Sequence, residues 1–331
     1  MKKLLILTLS FAAVFAADAA EKKRVIVCTV TTGFRHSSIP LAEKALEKLA
    51  AESGAYEVVD FARQPEVNVP KKPNKPGAPK ADADEKAKAK YDADLKKYED
   101  AMAAWTPEKD AEAKAAQGKF DEQLKANMAK LSPENLKSQK IDAVIFANTT
   151  GSNFPLPDKE GFIKWVEDGG AFIGMHSATD TFNNWEGYHG MLQGTFAGHE
   201  AQVPANLIAA DTAHPANGGI GKTWELKQEE MYLIKNHDRA KARELWYMNH
   251  HPNRKDQAGF FPVAWCREHG KGKVFYTSLG HREDLWSDDP SLKDRKNSVE
   301  TAKQYHKHIL GGIKWALGLE KGDATPNPEV K

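Results

Sequence analysis

Runs of β-branched and aromatic residues alternate along this chain with segments whose apolar residues recur at helical spacing. Buried strands are predicted where the runs are densest, at 24–32, 56–61, 141–147 and 171–175. Between them, apolar residues three and four apart predict helices over 40–51 and after Asp158, which can cap the second of these helices. This βαβα order predicts an α/β fold built on a doubly wound parallel sheet with helices on both faces.

The second half of the chain continues the pattern more loosely. Further strands are predicted at 202–209, 260–267 and 273–278, followed by a closing helix at 304–317. The polar tail at 318–331 is predicted to be disordered. Because ligands of doubly wound sheets bind beyond the carboxyl ends of the strands, functional side chains are expected in the loops that follow them.

A segment of different composition, 70–130, interrupts the α/β pattern. Its 61 residues include 15 Ala, 14 Lys and 12 Asp or Glu, and neither Val nor Ile. Prolines at every third position from Pro70 to Pro79 favour an extended arm. Apolar residues at steps of four, three and four then predict one or two amphipathic helices. A solvated insertion is the favoured interpretation, and a partner or homo-oligomer contact through 81–130 is the alternative.

The amino terminus, 1–19, has the layout of a secretory signal peptide. Two lysines precede an apolar run of thirteen residues, and Ala17-Asp18-Ala19 provides a small-x-small cleavage site. We therefore expect a periplasmic or secreted protein whose α/β domain occupies 20–317, interrupted by the insertion. No other stretch is long and apolar enough to cross a membrane, so stable membrane insertion is not expected.

Composition narrows the function classes. The 47 Lys and Arg against 46 Asp and Glu leave a net charge of +1, which argues against general nucleic-acid binding. Two cysteines exclude a disulfide scaffold and a cysteine-built zinc framework. Cys28 and Cys266 lie in apolar strand sequence, which favours buried free thiols, although an exported protein could pair them. The mean hydropathy of −0.62 reflects the polar insertion rather than a weak core.

Histidines follow several predicted strands. His36 lies in the loop after the first strand, and His176 lies after the fourth in the sequence Gly174-Met-His-Ser-Ala178. This small-x-polar-x-small corner is similar to a nucleophile elbow, but histidine is a base or metal ligand rather than an acyl-transfer nucleophile. Ser177 is the alternative nucleophile, one place off the corner.

Other polar residues complete the candidate site. His199 closes a Gly-bounded loop, His281 follows a late strand, and Glu229 and Glu230 supply carboxylates. His176, His199, His281 and Glu230 are together compatible with a divalent metal such as zinc, although their spacing matches no local metal motif. Five other histidines are interpreted as structural, namely His189, His237, His269, His306 and His308, and His250 and His251 stay ambiguous. The candidate substrate-binding residues are Arg35, Asp180, Trp185, Tyr232 and Trp286, where the two tryptophans would be platforms for sugar rings.

Several of these segments together resemble the ThuA-like, or trehalose-utilisation, family. The resemblance rests on Thr32-Gly-Phe-Arg-His36, on the run from Gly170 to Asp180, on Gly194 to His199, on His214-Pro215, on Glu229 to Tyr232, and on Pro262 to His281. It implies a flavodoxin-like fold akin to class I glutamine amidotransferases, in which histidine replaces the catalytic cysteine. His176 occupies that position, so glutaminase activity is not expected.

The resemblance also implies a link to the catabolism of trehalose and related disaccharides after oxidation to a keto-sugar. It favours His36, His176, His199, Glu230 and His281 as the polar cluster. This sequence departs from the family pattern at His199-Glu200, where members often have His-Pro, and at Glu229-Glu230, where they often have Asp-Glu.

Three functions remain open at this point. The first is an enzyme that acts on a keto-disaccharide or related glycoside, in which His176, Glu230 and His36 perform acid–base chemistry leading to isomerisation or elimination. The second is a zinc-dependent hydrolase that uses the same cluster. The third is a non-catalytic carbohydrate-binding protein. A small-molecule carbohydrate is the expected partner in all three.

Overall fold

The computed structural model describes residues 21–254 and 257–330, so the predicted signal peptide lies outside the described residues. The strands are β1 Lys23–Cys28, β2 Tyr56–Ala62, β3 Ala143–Ala147, β4 Ala171–Met175, β5 Thr195–Gly198, β6 Val203–Ala209, β7 Thr223–Glu229, β8 Leu233–Lys235, β9 Arg243–His251, β10 Gln257–His269 and β11 Gly272–Thr277. The helices are α1 Ile39–Ser53, α2 Glu85–Ala103, α3 Pro107–Ala129, α4 Pro133–Ser138, α5 Lys159–Glu167, α6 Glu186–Leu192, α7 Glu283–Trp286 and α8 Val299–Ala316.

Nine strands form one mixed sheet in the order β2-β1-β3-β4-β11-β10-β9-β6-β7. The first five are parallel, and their order is that of a flavodoxin-like doubly wound sheet. The last four are antiparallel and extend the sheet beyond β11. The predicted α/β fold is therefore confirmed. In the antiparallel half, β6 and β10 correspond to the strands predicted at 202–209 and 260–267, whereas β7, β9 and the antiparallel pairing were not predicted.

Strand β1 explains how the sequence builds two core layers. Val25 and Val27 pack into the core on one face of the sheet, and Ile26 and Cys28 pack into the core on the other. Successive side chains of a strand point to opposite faces, so a continuous apolar run requires cover on both sides. Helices α1 and α8 contact the sheet on one face, and α5 and α6 pack on the other.

The two cysteines are free and lie on opposite faces of the sheet. Cys28 belongs to one core layer and Cys266 to the other. Burial raises the pKa of the Cys28 thiol to about 12, which keeps it protonated and unreactive. The prediction of buried free thiols is confirmed, and the alternative disulfide is not formed.

The Lys/Ala-rich segment forms an extended arm followed by helices α2 and α3. Side-chain caps start both helices, because Asp84 accepts a hydrogen bond from Ala87 N and Thr106 accepts one from Lys109 N. Helix α2 has no buried residue, and in α3 Met128 is buried in the core while Leu124 packs against it partly buried. The segment therefore contributes little to the core, and its proposed contact with a partner stays a prediction.

Residues 318–330, the described part of the tail after α8, pack on the domain, which corrects the disorder predicted there. Trp315 Nε1 donates to Gly322 O at 3.0 Å, and Asn327 is buried, with its side-chain oxygen accepting from Glu244 N at 2.8 Å. Composition suggested a solvated tail, but buried backbone groups of β9 need these partners. None of the helices within the described residues is long and apolar enough to cross a membrane.

Candidate active site

A buried cluster of three histidines and one carboxylate lies at the carboxyl edge of the parallel strands. His36 follows β1, His176 follows β4, and His281 follows β11, while Glu230 comes from the antiparallel half, directly after β7. One ligand atom from each of these side chains lies within 4.8 Å of all the others. We refer to His36, His176, Glu230 and His281 as the His/Glu cluster.

The corner that carries His176 has the sharp geometry predicted from the sequence. His176 adopts a left-handed backbone conformation with φ of 49° and opens a short 3₁₀ turn directly after β4. Such strain is characteristic of functional corners. A Cβ on Gly174 would lie 3.0 Å from the Tyr276 ring and 3.2 Å from Ala178 Cβ, so a larger residue would crowd the corner. The turn places the His176 ring, fully buried, at the centre of the His/Glu cluster.

Hydrogen bonds fix the orientation of the His176 ring. Nδ1 lies 2.8 Å from the Ser278 carbonyl oxygen and must donate to it, so Nε2 carries the lone pair. The Tyr232 hydroxyl is 2.8 Å from Nε2, and His36 Nε2 is 3.2 Å from it. Tyr276 Oη donates to the His176 carbonyl at 2.7 Å, which holds the backbone of the corner. The unprotonated nitrogen therefore faces the cluster.

A second buried carboxylate, Glu229, holds the loop that carries His281. Its Oε1 accepts hydrogen bonds from Gly280 N at 3.2 Å and from His281 N at 2.7 Å. Trp286 Nε1 and Asn148 Nδ2 both donate to the Gly280 carbonyl, at 2.7 and 3.0 Å. The position of His281 is thus fixed from three directions by fully buried groups.

Glu230 connects the cluster to its rim. Its Oε2 lies 3.2 Å from His281 Nδ1 and 3.6 Å from His176 Nε2, and its Oε1 lies 2.9 Å from His199 Nδ1. The His199 side chain is 44% exposed, in contrast to the buried ligand atoms of the cluster. His199 therefore lies at the mouth of the site.

Burial sets the protonation of the deeper histidines. It lowers the pKa of His36 to about 4 and that of His176 well below its ordinary value, and the neighbouring histidines lower both further. Burial also lowers the pKa of His281, but the Glu230, Glu229 and Glu283 carboxylates outweigh it and raise the pKa overall. His36 and His176 are neutral imidazoles at physiological pH, which is the form that accepts a proton or binds a metal.

The residues present fit a divalent metal. Among the described residues, His281 Nδ1 has no hydrogen-bond partner of good geometry although it is buried, and it faces Glu230. Nitrogens bound to one tetrahedral zinc lie about 3.3 Å apart, close to the 3.2 Å between His36 Nε2 and His176 Nε2. The backbone carbonyl bonded to His176 Nδ1 is a typical outer partner of a ligating histidine. The four side chains that could together hold an ion are His36, His176, Glu230 and His281. His36 therefore takes the place that the sequence analysis gave to His199.

Two of the predicted substrate-binding residues adjoin the cluster and one does not. Tyr232 contacts His176, and Asp180 is half-buried in the 3₁₀ turn that His176 opens. Arg35 instead donates to Thr29 O and Gln64 Oε1, at 3.1 and 3.0 Å. It lines a cleft of about 770 Å³ beside α1 and α3, whose lining includes no residue of the His/Glu cluster.

The predicted tryptophan platforms are not exposed. Trp286 is only 2% exposed, since α7 packs it against Tyr305 and its indole nitrogen bonds Gly280 O. Trp185 is partly buried in the layer around α6, where its ring stacks on Tyr188 and meets Phe182 edge-to-face. The role of Trp286 is therefore corrected from sugar platform to support of the His281 loop. Loop-like sequence concealed its burial, because α7 has only four residues.

Three residues of the site were not singled out as site residues from the sequence. Asn148, with φ of 55°, follows β3 and its side chain joins Ser38 to Gly280. Its place after a predicted strand was a usable signal. Glu229 and Tyr276 act through hydrogen bonds to the loops that carry His281 and His176, and no local sequence pattern marks such partners.

The fold and the site define an α/β protein with a mixed sheet and a His/Glu cluster at the carboxyl edge of its parallel strands. The sequence profile of the ThuA family, described as trehalose utilisation, matches residues 24–316. The chain belongs to this family, so the resemblance predicted from its motifs is confirmed.

Solved structures show the same fold. A ThuA-like protein from Parabacteroides merdae superposes with a TM-score of 0.57 at 14% identity, and the match covers 94% of this chain and 99% of that one. A ThuA-like protein from Bacteroides uniformis gives a TM-score of 0.53 at 15% identity, covering 96% of this chain and 100% of that one. No curated protein matches the sequence. At these identities the likeness concerns the fold.

Proposed function

We propose that the protein is an exported enzyme that acts on a keto-disaccharide or a related glycoside by His/Glu acid–base chemistry. The observation that carries this proposal is the orientation of His176, whose Nδ1 donates to Ser278 O and whose Nε2 lone pair faces three other polar side chains. The family description, trehalose utilisation, supports a disaccharide as the substrate class. The basic and apolar start of the sequence supports export.

The proposed step begins with removal of the proton on the carbon next to the sugar carbonyl. His176 Nε2 accepts this proton, and the electron pair of the broken C–H bond forms an enolate. The Tyr232 hydroxyl, which lies 2.8 Å from Nε2, and a ring N–H of the neighbouring histidines are the donors available to the enolate oxygen. The proton then returns to the former carbonyl carbon, and the hydroxyl proton on the neighbouring carbon passes to the former carbonyl oxygen, which completes an isomerisation.

Elimination is the other outcome of the same enolate. The glycosidic oxygen on the adjacent carbon departs with its bonding pair and takes a proton from a protonated group of the cluster. Glu230 lies within 3.6 Å of His176 Nε2 and 3.2 Å of His281 Nδ1, so it can pass protons between the two rings. Both outcomes need bulk water to be kept from the reacting groups, and the burial of His36, His176 and Glu230 supports this.

A divalent metal would be held by the His/Glu cluster and would polarise the substrate carbonyl as a Lewis acid. In that case the His176 lone pair and one oxygen of Glu230 would be engaged as ligands, and the other Glu230 oxygen, Oε1, which lies 2.9 Å from His199 Nδ1, would be left to accept a proton at the mouth. Acid–base chemistry by His176 alone and chemistry assisted by a metal predict different sensitivities to chelators, since only the metal-assisted reaction requires a bound ion.

The test is incubation of the full chain with 3-keto-disaccharides and with their unoxidised parents, followed by product detection. His176→Asn is the decisive variant, because asparagine tolerates the left-handed backbone of this corner and can still donate to Ser278 O. We expect loss of turnover in this variant with an unchanged unfolding midpoint. His189→Ala, on helix α6 outside the His/Glu cluster, is the control and should keep activity. Full activity in His176→Asn would overturn the proposal.

A zinc-dependent hydrolase is the second candidate, and the convergence of the His36, His176, Glu230 and His281 ligand atoms within 4.8 Å of one another favours it. Such an enzyme would contain zinc on elemental analysis, lose activity on chelation, and release a free sugar from the glycoside by addition of water. An enzyme of the first type would give an unsaturated or isomerised keto-sugar instead. Sugar affinity without any product would identify a carbohydrate-binding protein and exclude both enzymes.

A further inference from the structure

One large aromatic ring lies exposed beside the His/Glu cluster. Among the described residues, the large hydrophobic side chains that are exposed are Phe34, at 67%, and Leu319, at 45%. A single exposed apolar residue is ordinary on a protein surface and by itself indicates nothing. The position of Phe34 distinguishes it, because its ring centroid is 4.9 Å from that of His36 in an edge-to-face arrangement.

The backbone beneath Phe34 is held firmly. Thr150 Oγ1 donates to Phe34 O at 2.7 Å, and Thr32 N donates to Thr150 O at 2.8 Å. The two loops approach so closely that a Cβ on Gly151, whose φ is 107°, would lie 2.0 Å from Thr32 Oγ1. Only glycine allows this contact. An exposed ring on a fixed backbone next to buried reactive groups is pre-organised to receive a ligand.

We propose that Phe34 is the stacking platform of the site, against which the apolar face of a pyranose ring lies while its polar groups point to the His/Glu cluster. The inference rests on the proposed carbohydrate function and specifies the residue that recognises the ring. A pyranose has one face dominated by C–H bonds, and an aromatic ring removes that face from water without demanding a hydrogen bond. The partly buried Phe196, whose ring centroid is 4.6 Å from that of Tyr232, adds a second aromatic side chain to the same cluster.

The test measures both the KM for turnover and the Kd for sugar binding by calorimetry, using trehalose, maltose, cellobiose and their 3-keto derivatives. We expect Phe34→Ala to raise KM and Kd about tenfold while kcat changes less than about threefold. Phe34→Trp should restore affinity, because it restores an aromatic face. Leu319→Ala is the matched control, since it removes an exposed apolar side chain that lines a groove with Ser53 and Ala55, outside the His/Glu cluster.

The outcomes separate this inference from the function on which it rests. Unchanged KM and Kd in Phe34→Ala overturn the platform and leave the proposed reaction standing. Sugar binding that depends on Phe34, with no product from any sugar, supports the platform and overturns the reaction. No binding of any sugar by the wild-type protein overturns both. A fall in kcat with KM unchanged would also overturn the platform, because a stacking platform acts on binding.

Discussion

Two groups of buried histidines lie in this domain, and their difference shows what identifies a functional site. The first is the His/Glu cluster. The second lies under α8, where His308 Nδ1 donates to Ala216 O and His214 accepts a hydrogen bond from Ala216 N. Burial lowers the pKa of His36 in the first group and of both histidines in the second to about 4. Burial and a shifted pKa are therefore common to both groups.

The two groups differ in whether their ring nitrogens converge on one point. In the His/Glu cluster the ring nitrogens point to one another and to a carboxylate, so one small ligand could contact all of them. Under α8 the rings bond to backbone groups of the same turn, and His214 Nε2 lies 3.6 Å from the Cys266 thiol. Those histidines fasten the segment after β6 to the helix. The experiments below compare the two groups, from the largest expected effect to the smallest.

Turnover should depend on the first group and not on the second. We expect His176→Asn to lower kcat by about 10³-fold, the scale of a lost general base. His308→Gln, which keeps a donor for Ala216 O, should keep kcat within about twofold. Steady-state kinetics on the keto-disaccharide substrate measures both. Equal losses in the two variants would contradict the functional distinction between the groups.

Zinc affinity should likewise depend on the His/Glu cluster and not on the histidines under α8. Removing one ligand in His281→Ala should weaken zinc binding at least about 100-fold, measured by competition with a chromophoric chelator. The matched variant His308→Gln should bind zinc as the wild-type protein does. If His281→Ala retains wild-type affinity, the zinc site lies elsewhere in the chain.

The support of the His281 loop should be measurable at Glu229. In Glu229→Ala the N–H groups of Gly280 and His281 lose their acceptor, so we expect a loss of about 1–3 kcal/mol in unfolding free energy and about tenfold in kcat. Glu229→Gln keeps an acceptor oxygen and should recover most of both. Urea denaturation and kinetics give the two numbers. A Gln variant as impaired as the Ala variant would show that the negative charge, not the hydrogen bonds, matters at this position.

Acid sensitivity should come in part from the second group. The folded pKa of His308 is about 4 because burial disfavours its charged form, whereas an unfolded histidine titrates near 6.5. The stability that His308 contributes is complete above pH 6.5 and declines as the pH falls toward 4, by up to about 1.4 kcal/mol per pH unit. His308→Gln should flatten this slope in urea denaturation between pH 7 and 4.5. His214 titrates beside it and will keep part of the slope. A slope identical to that of wild type would contradict the assignment.

The parallel half of the fold could be predicted from the sequence and the antiparallel half only in part. Strands β3 and β4 are short apolar runs buried on both faces, which periodicity detects well. Strand β7 alternates buried Trp224 and Leu226 with exposed polar residues and was not predicted. One-sided strands of this kind carry a weaker signal because half of their residues are polar. Strand β9 contains the buried run 244–248 and was also not predicted, although its pattern is not one-sided.

The candidate site, too, could be predicted from the sequence only in part. His36, His176 and His281 follow strands, and the rule for doubly wound sheets predicts their meeting from the sequence alone. Glu230 follows a strand that the pattern missed, and only the family resemblance placed it with the histidines. The burial of Trp286 and the packing of Asn327 depend on contacts between distant segments, which local sequence does not encode.

The origin of Glu230 has a consequence for how the molecule assembles. Three members of the His/Glu cluster belong to the parallel half and the fourth follows β7, the outermost strand of the antiparallel half. A chain in which only the parallel half has folded would hold three imidazoles without their carboxylate. Any ligand bound by all four side chains therefore couples the stability of one half to that of the other, by the amount of its binding free energy. Loading the site would protect β7, at the sheet edge, from local unfolding and from proteases.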